Sequence, residues 1–283
     1  MSEQTIPIDG VEVPRMLYGT AWKEEKTERL VGLALQQGFR GIDTANQRRH
    51  YHEAAVGKAI AASIADGFSD RQQLFLQTKF TFRPGQDHRL PYDPDAPVPT
   101  QVSQSCASSL DHLGVSWIDS YVLHGPATSS GWTSSDQDAW QAMETIHNTG
   151  QARLLGVSNV NLEQLQTLCS EARVRPRFVQ NRCFAAQGWD RRIREFCRAN
   201  EIVYQGFSLL TANRQALAAP TLTQIAERHG RTIPQVVFRF ALTAGMMPLT
   251  GTTSAEHMQQ DLDIFEFDLD PEEIDQIERV ASG

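Results

Sequence analysis

Cysteine is scarce in this sequence, and its four copies show no metal-binding or redox spacing. Cys106, Cys169, Cys183 and Cys197 form no C-x-x-C pair and lie inside apolar segments. Cysteines in such segments usually pack as small apolar residues, whereas metal sites and disulfide frameworks have characteristic spacings. The sequence therefore predicts neither a metal site nor a disulfide.

Long apolar runs and an export signal are also missing. A membrane-spanning helix needs about twenty consecutive apolar residues, and no segment approaches this although 40% of the residues are hydrophobic. The N-terminal segment MSEQTIPIDGVEVPRM lacks the basic stretch and apolar core of a secretory signal. We therefore expect a soluble, cytoplasmic protein with a sizeable core.

Basic residues are fewer than acidic ones: the chain has 26 Lys and Arg and 34 Asp and Glu, which gives a net charge of −8. A negative protein repels phosphate backbones and anionic membrane surfaces. We therefore expect neither nucleic acid nor a membrane among its partners.

The chain has no G-x-G-x-x-G turn, which an open, doubly wound nucleotide-binding sheet normally carries after an early strand. Instead, short β-rich runs alternate with amphipathic stretches, as in βαβ units with a parallel sheet. The predicted strands are 16–20, 38–45, 74–80, 119–125, 154–159, 177–183, 202–208 and 246–251. Eight such units predict an α/β fold, a closed (β/α)8 TIM barrel formed as one domain by residues 1–283.

Helices and loops are predicted between these strands. Residues 27–38 and 221–230 have helical apolar spacing and end at glycine, and 161–174 begins with Asn161 as an N-cap. The segments 81–100 and 126–138 are rich in turn-forming residues and are predicted to be long loops. They follow the third and fourth strands, so they would rise from the C-terminal face, where barrel active sites lie.

Three consecutive predicted strands each end in an ionisable residue, namely Asp43, Lys79 and His124. Alone, each could be structural, as an ion pair or a strand cap. Because barrel interiors are filled by branched apolar side chains, three such residues on adjacent strands favour a common site. A lysine beside a carboxylate can change the ionisation of a third acid, which indicates acid–base chemistry.

The motifs G-F-R-G-I-D-T-A, E-A-A-V-G-K-A-I, L-Q-T-K, L-H-G-P, G-V-S-N and V-Q-N follow one another over almost the whole chain. In order and spacing this series resembles the aldo-keto reductase superfamily. The resemblance implies a (β/α)8 barrel that reduces a small-molecule aldehyde or ketone with a nicotinamide cofactor held without a Rossmann motif. It also implies a catalytic tetrad in which a tyrosine joins Asp43, Lys79 and His124.

The tyrosine of this tetrad is displaced. The family's usual position, five residues after the aspartate, holds Arg48, and the loop before Glu53 is two residues longer than in the family pattern. Counting back from Glu53 gives His50, whereas the chemistry of a phenol favours Tyr51, which we predict as the proton donor. His50 remains the alternative, since imidazole is an acid near neutral pH.

The resemblance implies a mechanism in which hydride attacks the carbonyl carbon while Tyr51 protonates the oxygen. Lys79 would lower the pKa of Tyr51, Asp43 would position Lys79, and His124 would orient the carbonyl oxygen. Two other functions stay open. One is a regulatory or redox-sensing barrel that binds the cofactor with little turnover, and the other is a lyase or aldolase that uses Lys79 as a Schiff base.

The resemblance also implies the cofactor contacts. Ser158, Asn159 and Gln180 would hold the nicotinamide carboxamide, since hydroxyls and amides suit an amide ligand, and Phe207 would stack on the nicotinamide. The other expected cofactor contacts are Gly19, Thr20, Ser208, Leu209, Gly251, Thr252, Ser254, His257, Gln260 and Asp261.

The segment after strand eight is poor in cations where the family commonly binds an adenosine 2′-phosphate. His257 stands where arginine is frequent, and Glu256 is next to it. Because guanidinium and ammonium groups suit phosphate best, we expect weak discrimination between NADP(H), the family's usual cofactor, and NAD(H). The walls of the substrate pocket are predicted to come from Trp22, His50, Phe80 and Trp132.

The expected pocket is open on one side. Gly125 stands where many family members have tryptophan, and the chain ends soon after its last amphipathic helix. We therefore expect broad substrate specificity. The protein itself is expected to be a monomer or a small homo-oligomer.

Overall fold

Residues 4–281 are described by the structure, a computed structural model of the chain. Eight parallel strands close into a barrel in the order β10-β3-β4-β5-β6-β7-β8-β9. The barrel strands are β3 (Leu17–Gly19), β4 (Gly41–Asp43), β5 (Phe75–Phe80), β6 (Ile118–Leu123), β7 (Ala152–Ser158), β8 (Phe178–Arg182), β9 (Val203–Phe207) and β10 (Met246–Thr250). Each overlaps one of the eight predicted runs, so the predicted (β/α)8 barrel is confirmed.

An antiparallel hairpin, which the sequence analysis did not predict, precedes the barrel. Its strands are β1 (Thr5–Ile8) and β2 (Val11–Pro14), joined by Asp9 and Gly10, which both have positive φ. Asp-Gly between alternating apolar residues is a strong hairpin signal, so the feature was visible in the sequence. Apolar residues of the hairpin pack with Leu17, Phe75 and other side chains of the barrel strands.

Helices follow most strands and cover the outside of the barrel. They are α1 (Thr27–Gln37), α2 (Glu53–Ala65), α3 (Val98–Leu113), α4 (Ser134–Asn148), α5 (Leu162–Glu171), α6 (Arg191–Ala199), α7 (Arg214–Leu217), α8 (Pro220–His229), α9 (Ile233–Thr243), α10 (Ala255–Leu262) and α11 (Pro271–Glu278). Between residues 4 and 281, no helix is both long and apolar enough to cross a membrane.

The predicted helix signals are confirmed, and the predicted loops are shorter than expected. Asn161 caps α5 in a capping box with Gln164, and α1 ends at Gly38 with φ 112°. However, α3 and α4 begin inside the segments 81–100 and 126–138. A capping box of Thr133 and Asp136 starts α4, and this pattern can begin a helix within a serine-rich stretch.

The alternation of side chains along β5 separates the barrel interior from its outer surface. Phe75 packs in the interior cluster, while Leu76 and Phe80 pack in the cluster formed with the helices. Successive strand residues point to opposite faces, so Gln77 and Lys79 face inward. The end of β5 therefore delivers Lys79 to the barrel interior and turns Phe80 away from it.

Candidate functional site

A cavity of about 740 Å³ opens at the C-terminal ends of the barrel strands. Most of the residues predicted for catalysis, cofactor binding or the substrate pocket line it. The lining residues among them are Gly19, Trp22, Asp43, His50, Tyr51, His124, Ser158, Asn159, Gln180, Phe207, Ser208, Leu209, Gly251, Thr252, His257, Gln260 and Asp261. The barrel thus brings together segments that are far apart in the sequence.

Two predicted pocket residues lie elsewhere. Phe80 packs outside the barrel against Phe82 and Tyr92, with ring centres 5.1 and 5.7 Å away. Trp132 packs on the same outer core. The predicted role of Phe80 and Trp132 as pocket walls was therefore wrong, and for Phe80 the reason is its outward position on β5.

Three other predicted residues surround the cavity without lining it. Lys79 is fully buried. Thr20 donates a hydrogen bond from its hydroxyl to the backbone oxygen of Asp43 over 3.0 Å. Ser254 accepts a hydrogen bond from the backbone N–H of His257 and thereby caps α10.

A buried ion pair joins Asp43 and Lys79 at the cavity floor. Lys79 Nζ donates hydrogen bonds to Asp43 Oδ1 (2.7 Å), Asp43 Oδ2 (2.8 Å) and the backbone oxygen of Thr44 (2.8 Å). An ammonium group has three hydrogens, so these acceptors use all of them. Burial lowers the pKa of Lys79, and the Asp43 carboxylate opposes that shift.

Tyr51 lies against this pair and against His124. The centre of its ring is 5.3 Å from Lys79 Nζ and 5.8 Å from the centre of the His124 ring, in an edge-on arrangement. His50 instead stacks on Trp22, with 3.9 Å between ring centres. The longer loop thus sets the tyrosine ring beside Lys79 and His124 and the neighbouring imidazole beside an exposed tryptophan.

Burial decides the protonation states of Tyr51 and His124. Burial and the Asp43 carboxylate raise the pKa of Tyr51. The pKa of Tyr51 is therefore raised overall, and the lowering by Lys79 that the resemblance implies stays a prediction. Burial, Lys79 and His50 lower the pKa of His124 to about 3. At neutral pH the cavity therefore contains a protonated phenol beside a neutral imidazole.

Thr81 orients His124 and was missed in the sequence analysis. Its hydroxyl is 2.7 Å from His124 Nδ1, and its backbone oxygen accepts a hydrogen bond from the Tyr92 hydroxyl over 2.8 Å. A hydrogen bond at one ring nitrogen fixes the role of the other. The available signal was a threonine two residues after Lys79, near the end of β5.

A layer of three buried glutamines lies beneath the ion pair. Gln77 Nε2 and Gln180 Nε2 both donate to Asp43 Oδ1, over 2.7 and 3.0 Å, and to Gln205 Oε1, over 2.8 and 2.9 Å. Gln205 Nε2 in turn donates to Gln77 Oε1 over 3.0 Å. Because a carboxylate only accepts hydrogen bonds, Asp43 sets the amide orientation of all three glutamines.

The orientation of Gln180 matters for the cavity, because both hydrogens of its amide are donated to Asp43 and Gln205. Its carbonyl oxygen is therefore the atom left for a ligand. Gln180 was predicted from the sequence, whereas Gln77 and Gln205 were not, although polar residues at inward strand positions were a usable signal.

Polar groups from β7 and β8 line the same wall of the cavity. Ser158 Oγ donates to the backbone oxygen of Gln180 over 2.6 Å, and Asn159 Nδ2 donates to the backbone oxygen of His124 over 2.8 Å. Donors and acceptors in this arrangement suit a planar amide ligand.

Three non-glycine residues of the cavity adopt left-handed backbone conformations. Trp22, Asn159 and Ser208 have φ values of 62°, 54° and 57°. Such conformations are uncommon for residues other than glycine and cluster at functional sites, where neighbouring structure maintains them. Their grouping around one cavity supports a functional role for it.

The far end of the cavity is formed by the end of β10, the segment after it and one side of α10. Thr250 Oγ1 donates to Asp261 Oδ2 over 2.6 Å, and burial raises the pKa of Asp261 to about 7. Lys23, a residue that the sequence analysis did not select, donates from Nζ to the backbone oxygen of Gly251 over 2.8 Å.

Comparisons with known proteins point to one family. The model of the aldo/keto reductase family matches residues 15–282. An aldo-keto reductase of Mycobacterium marinum is 32% identical over 281 residues, covering 99% of this chain and 90% of the relative.

Solved structures are similar over the same length. The crystal structure of an aldo-keto reductase from Bombyx mori in complex with NADP has a TM-score of 0.84 at 26% identity and covers 99% of this chain and 93% of its own. An aldo/keto reductase from Brucella melitensis has a TM-score of 0.82 at 26% identity, over 98% of both chains.

Proposed function

The chain belongs to the aldo/keto reductase family, and on that basis we propose that it reduces the carbonyl group of a small aldehyde or ketone with NADPH or NADH. The observation that carries this proposal is the position of the Tyr51 ring, 5.3 Å from Lys79 Nζ and 5.8 Å from the His124 ring at the cavity floor. A protonated phenol at this place is a suitable general acid for a carbonyl oxygen.

Each residue of the site has a defined task in this reaction. The bound nicotinamide cofactor supplies the hydride. Tyr51 donates its phenolic proton to the carbonyl oxygen, and the nearby positive charge of Lys79 favours the phenolate that this step leaves. Asp43 holds Lys79 in place through two hydrogen bonds.

His124 positions the carbonyl oxygen as a neutral imidazole. If the Thr81 hydroxyl donates to Nδ1, then Nε2 carries the ring hydrogen and donates it into the cavity. Because the pKa of His124 is lowered to about 3, this donor stays neutral and does not compete with Tyr51 as the acid.

The cavity residues fit a nicotinamide cofactor. The carbonyl oxygen of Gln180 and the polar side chains of Ser158 and Asn159 would hold its carboxamide, and Phe207 would pack on its ring. The NADP bound by the Bombyx mori relative supports NADP(H), whereas the lack of a cation at His257 supports use of NAD(H) as well.

The test is the oxidation of NADPH and of NADH, followed by absorbance, with a panel of aldehydes, ketones, α-ketoesters and quinones. We expect turnover with several carbonyl compounds and with both cofactors. Tight cofactor binding without turnover on any of them would contradict a reductase and favour the regulatory alternative. The Schiff-base alternative is disfavoured, because all three hydrogens of Lys79 are bonded.

A further inference from the structure

Asn181 is a buried polar residue on the outer face of β8. It is 6% exposed. Phe178 packs in the interior cluster and Val179 in the cluster formed with the helices, so the alternation along the strand turns Gln180 inward and Asn181 outward. Burial of an amide is unfavourable unless its hydrogen bonds are made. The partners of Asn181 therefore indicate why an amide lies in this layer.

Both ends of the Asn181 amide bind the backbone of one residue, Val160. The backbone N–H of Val160 donates to Asn181 Oδ1 over 3.1 Å, and Asn181 Nδ2 donates to the backbone oxygen of Val160 over 2.8 Å. Val160 directly follows Ser158 and Asn159, which line the cavity. The amide therefore holds the chain at the point where it leaves the cavity wall.

The backbone of Asn159 requires such support, because its φ is 54°. A left-handed conformation is unfavourable for residues other than glycine and persists where neighbouring structure maintains it. In this conformation Asn159 Nδ2 donates to the backbone oxygen of His124 and to Ser158 Oγ, over 2.8 and 3.1 Å. The backbone oxygen of Gln180 accepts from the N–H of Asn159 over 3.0 Å. Two consecutive residues of β8, Gln180 and Asn181, thus hold the chain on both sides of the Asn159 side chain.

Asp190 determines which end of the Asn181 amide carries the hydrogens. Asp190 Oδ2 accepts from Asn181 Nδ2 over 3.3 Å and from the Tyr204 hydroxyl over 2.7 Å. A carboxylate only accepts hydrogen bonds, so the nitrogen of the amide faces Asp190 and its oxygen is left for the N–H of Val160. The backbones of Trp189 and Asp190 are themselves left-handed, with φ values of 53° and 54°. The surrounding structure therefore keeps Asp190 in place at a cost in backbone strain.

We propose that Asn181 is a positioning residue of the cofactor site, which maintains the left-handed conformation of Asn159 and so the arrangement of Ser158 and Asn159 that would hold the nicotinamide carboxamide. Asp190 and Tyr204 orient Asn181 for this task. The inference rests on the proposed function, since it needs the nicotinamide to lie at this wall. Asn181, Asp190 and Tyr204 do not line the cavity, so they act through the barrel wall from its outer side.

The test compares Asn181→Leu with the wild type by isothermal titration calorimetry, with NADPH and with 2′-phospho-ADP-ribose as ligands. The second ligand contains every part of NADPH except the nicotinamide, and leucine has a similar size to asparagine but forms no hydrogen bonds. We expect about tenfold weaker binding of NADPH, because the strained backbone relaxes and the carboxamide contacts are lost. Binding of 2′-phospho-ADP-ribose should change less than about twofold, because distant sites act independently. NADH and ADP-ribose form a second pair of ligands with the same expected difference.

The matched control is Glu144→Met on α4. Glu144 is also buried and also binds the backbone, since Glu144 Oε1 accepts from the N–H groups of Arg173 and Val174 over 2.7 and 2.9 Å. Its replacement removes two backbone hydrogen bonds away from the cavity. Glu144→Met should therefore lower thermal stability and leave the affinity for both ligands within about twofold of the wild type.

A second background tests whether Asn181 acts through Asn159. Glycine adopts a positive φ without strain, so Asn159→Gly does not need the support of Asn181. In the Asn159→Gly protein, Asn181→Leu should weaken NADPH binding by less than about threefold further. An equal loss in both backgrounds would contradict action through the conformation of Asn159.

Thermal unfolding identifies the folded variants, and if Asn181→Leu does not fold, the comparison uses Asn181→Ala. The inference is overturned if the folded variant binds NADPH as tightly as the wild type. It is also overturned if NADPH and 2′-phospho-ADP-ribose lose affinity equally, since this is the result of a purely structural role. Both outcomes leave the proposed function intact, whereas a wild-type protein that binds neither NADPH nor NADH would contradict the proposed function itself.

Discussion

Lys79 Nζ lies 5.3 Å from the centre of the Tyr51 ring, yet all three of its hydrogens point to Asp43 and Thr44. Lys79 therefore acts on Tyr51 through its charge and not through a hydrogen bond. The nearby Asp43 carboxylate reduces this charge effect, and burial raises the pKa of Tyr51, so the phenol is protonated at neutral pH.

Replacement of Tyr51 by phenylalanine tests the proton donor. We expect Tyr51→Phe to lower kcat by about 10²–10⁴-fold, the usual contribution of general acid catalysis, and to leave the cofactor Kd unchanged. His50→Gln is the matched comparison and should retain most of the activity, because His50 packs on Trp22. Loss of activity in His50→Gln together with full activity in Tyr51→Phe would identify His50, and not Tyr51, as the proton donor.

Removal of the Thr81 hydroxyl tests the orientation of His124. Thr81→Val removes the contact with Nδ1 but keeps the backbone oxygen that Tyr92 binds. We expect kcat to fall about tenfold or less, consistent with the loss of one hydrogen bond of about 1 kcal/mol. Steady-state kinetics should show recovery in Thr81→Ser and no change in cofactor Kd. Equal kcat values for Thr81→Val and Thr81→Ser would show that the Thr81 hydroxyl does not orient His124.

The glutamine layer is expected to stabilise the site through Gln205. Gln205→Leu leaves Gln77 and Gln180 without their shared acceptor. Since an unsatisfied buried polar group costs about 1–3 kcal/mol, we expect the free energy of unfolding in urea to fall by about 2–4 kcal/mol. Gln36→Leu, at an exposed position on α1, is the control. A change in Gln205→Leu no larger than in this control would contradict the prediction.

Cofactor preference should respond to charge at His257. The wild type is expected to prefer NADPH by less than about a hundredfold, a ratio that requires nearly 3 kcal/mol of selective binding. His257→Arg adds a cation on the cavity side of α10 and should raise the preference about tenfold. Gln259→Arg makes the same addition on α10 outside the cavity lining. The measurement is the ratio of kcat/KM with NADPH to kcat/KM with NADH. An equal rise of this ratio in both variants would show a general effect of added charge and not a contact at His257.

Asp261 should make stability depend on pH. Its pKa is raised from 3.8 to about 7 by burial, so the folded chain binds a proton between these values while the unfolded chain does not. Stability contributed by the neutral acid is therefore lost as pH rises from about 4 to about 7.

Asp261→Asn removes this titration and keeps an oxygen for the Thr250 hydroxyl. The difference in the free energy of unfolding in urea between Asp261→Asn and the wild type should shift in favour of the variant as pH rises through this range. The shift should reach up to about 4 kcal/mol for a pKa change of this size. A constant difference between the two proteins at pH values below and above this range would show that Asp261 does not titrate as described.

Much of the architecture follows from local sequence patterns. The alternation of strands and helices, the caps at Asn161 and Gly38, and the ionisable strand ends Asp43 and Lys79 depend on residues that are near one another in the chain. The carboxyl ends of parallel strands meet at one face of a barrel, so sequence order alone brought Asp43, Lys79 and His124 to the same site.

Tertiary structure decided the rest, because it depends on which face of a strand a side chain takes and on contacts between distant segments. Because Lys79 points into the barrel, its neighbour Phe80 points outward. The folding of the longer loop placed Tyr51, and not His50, beside Lys79. Lys23 meets Gly251 only because β10 pairs with β3 and closes the barrel. Local patterns determine the elements and their polar ends, whereas barrel closure determines which of those residues touch.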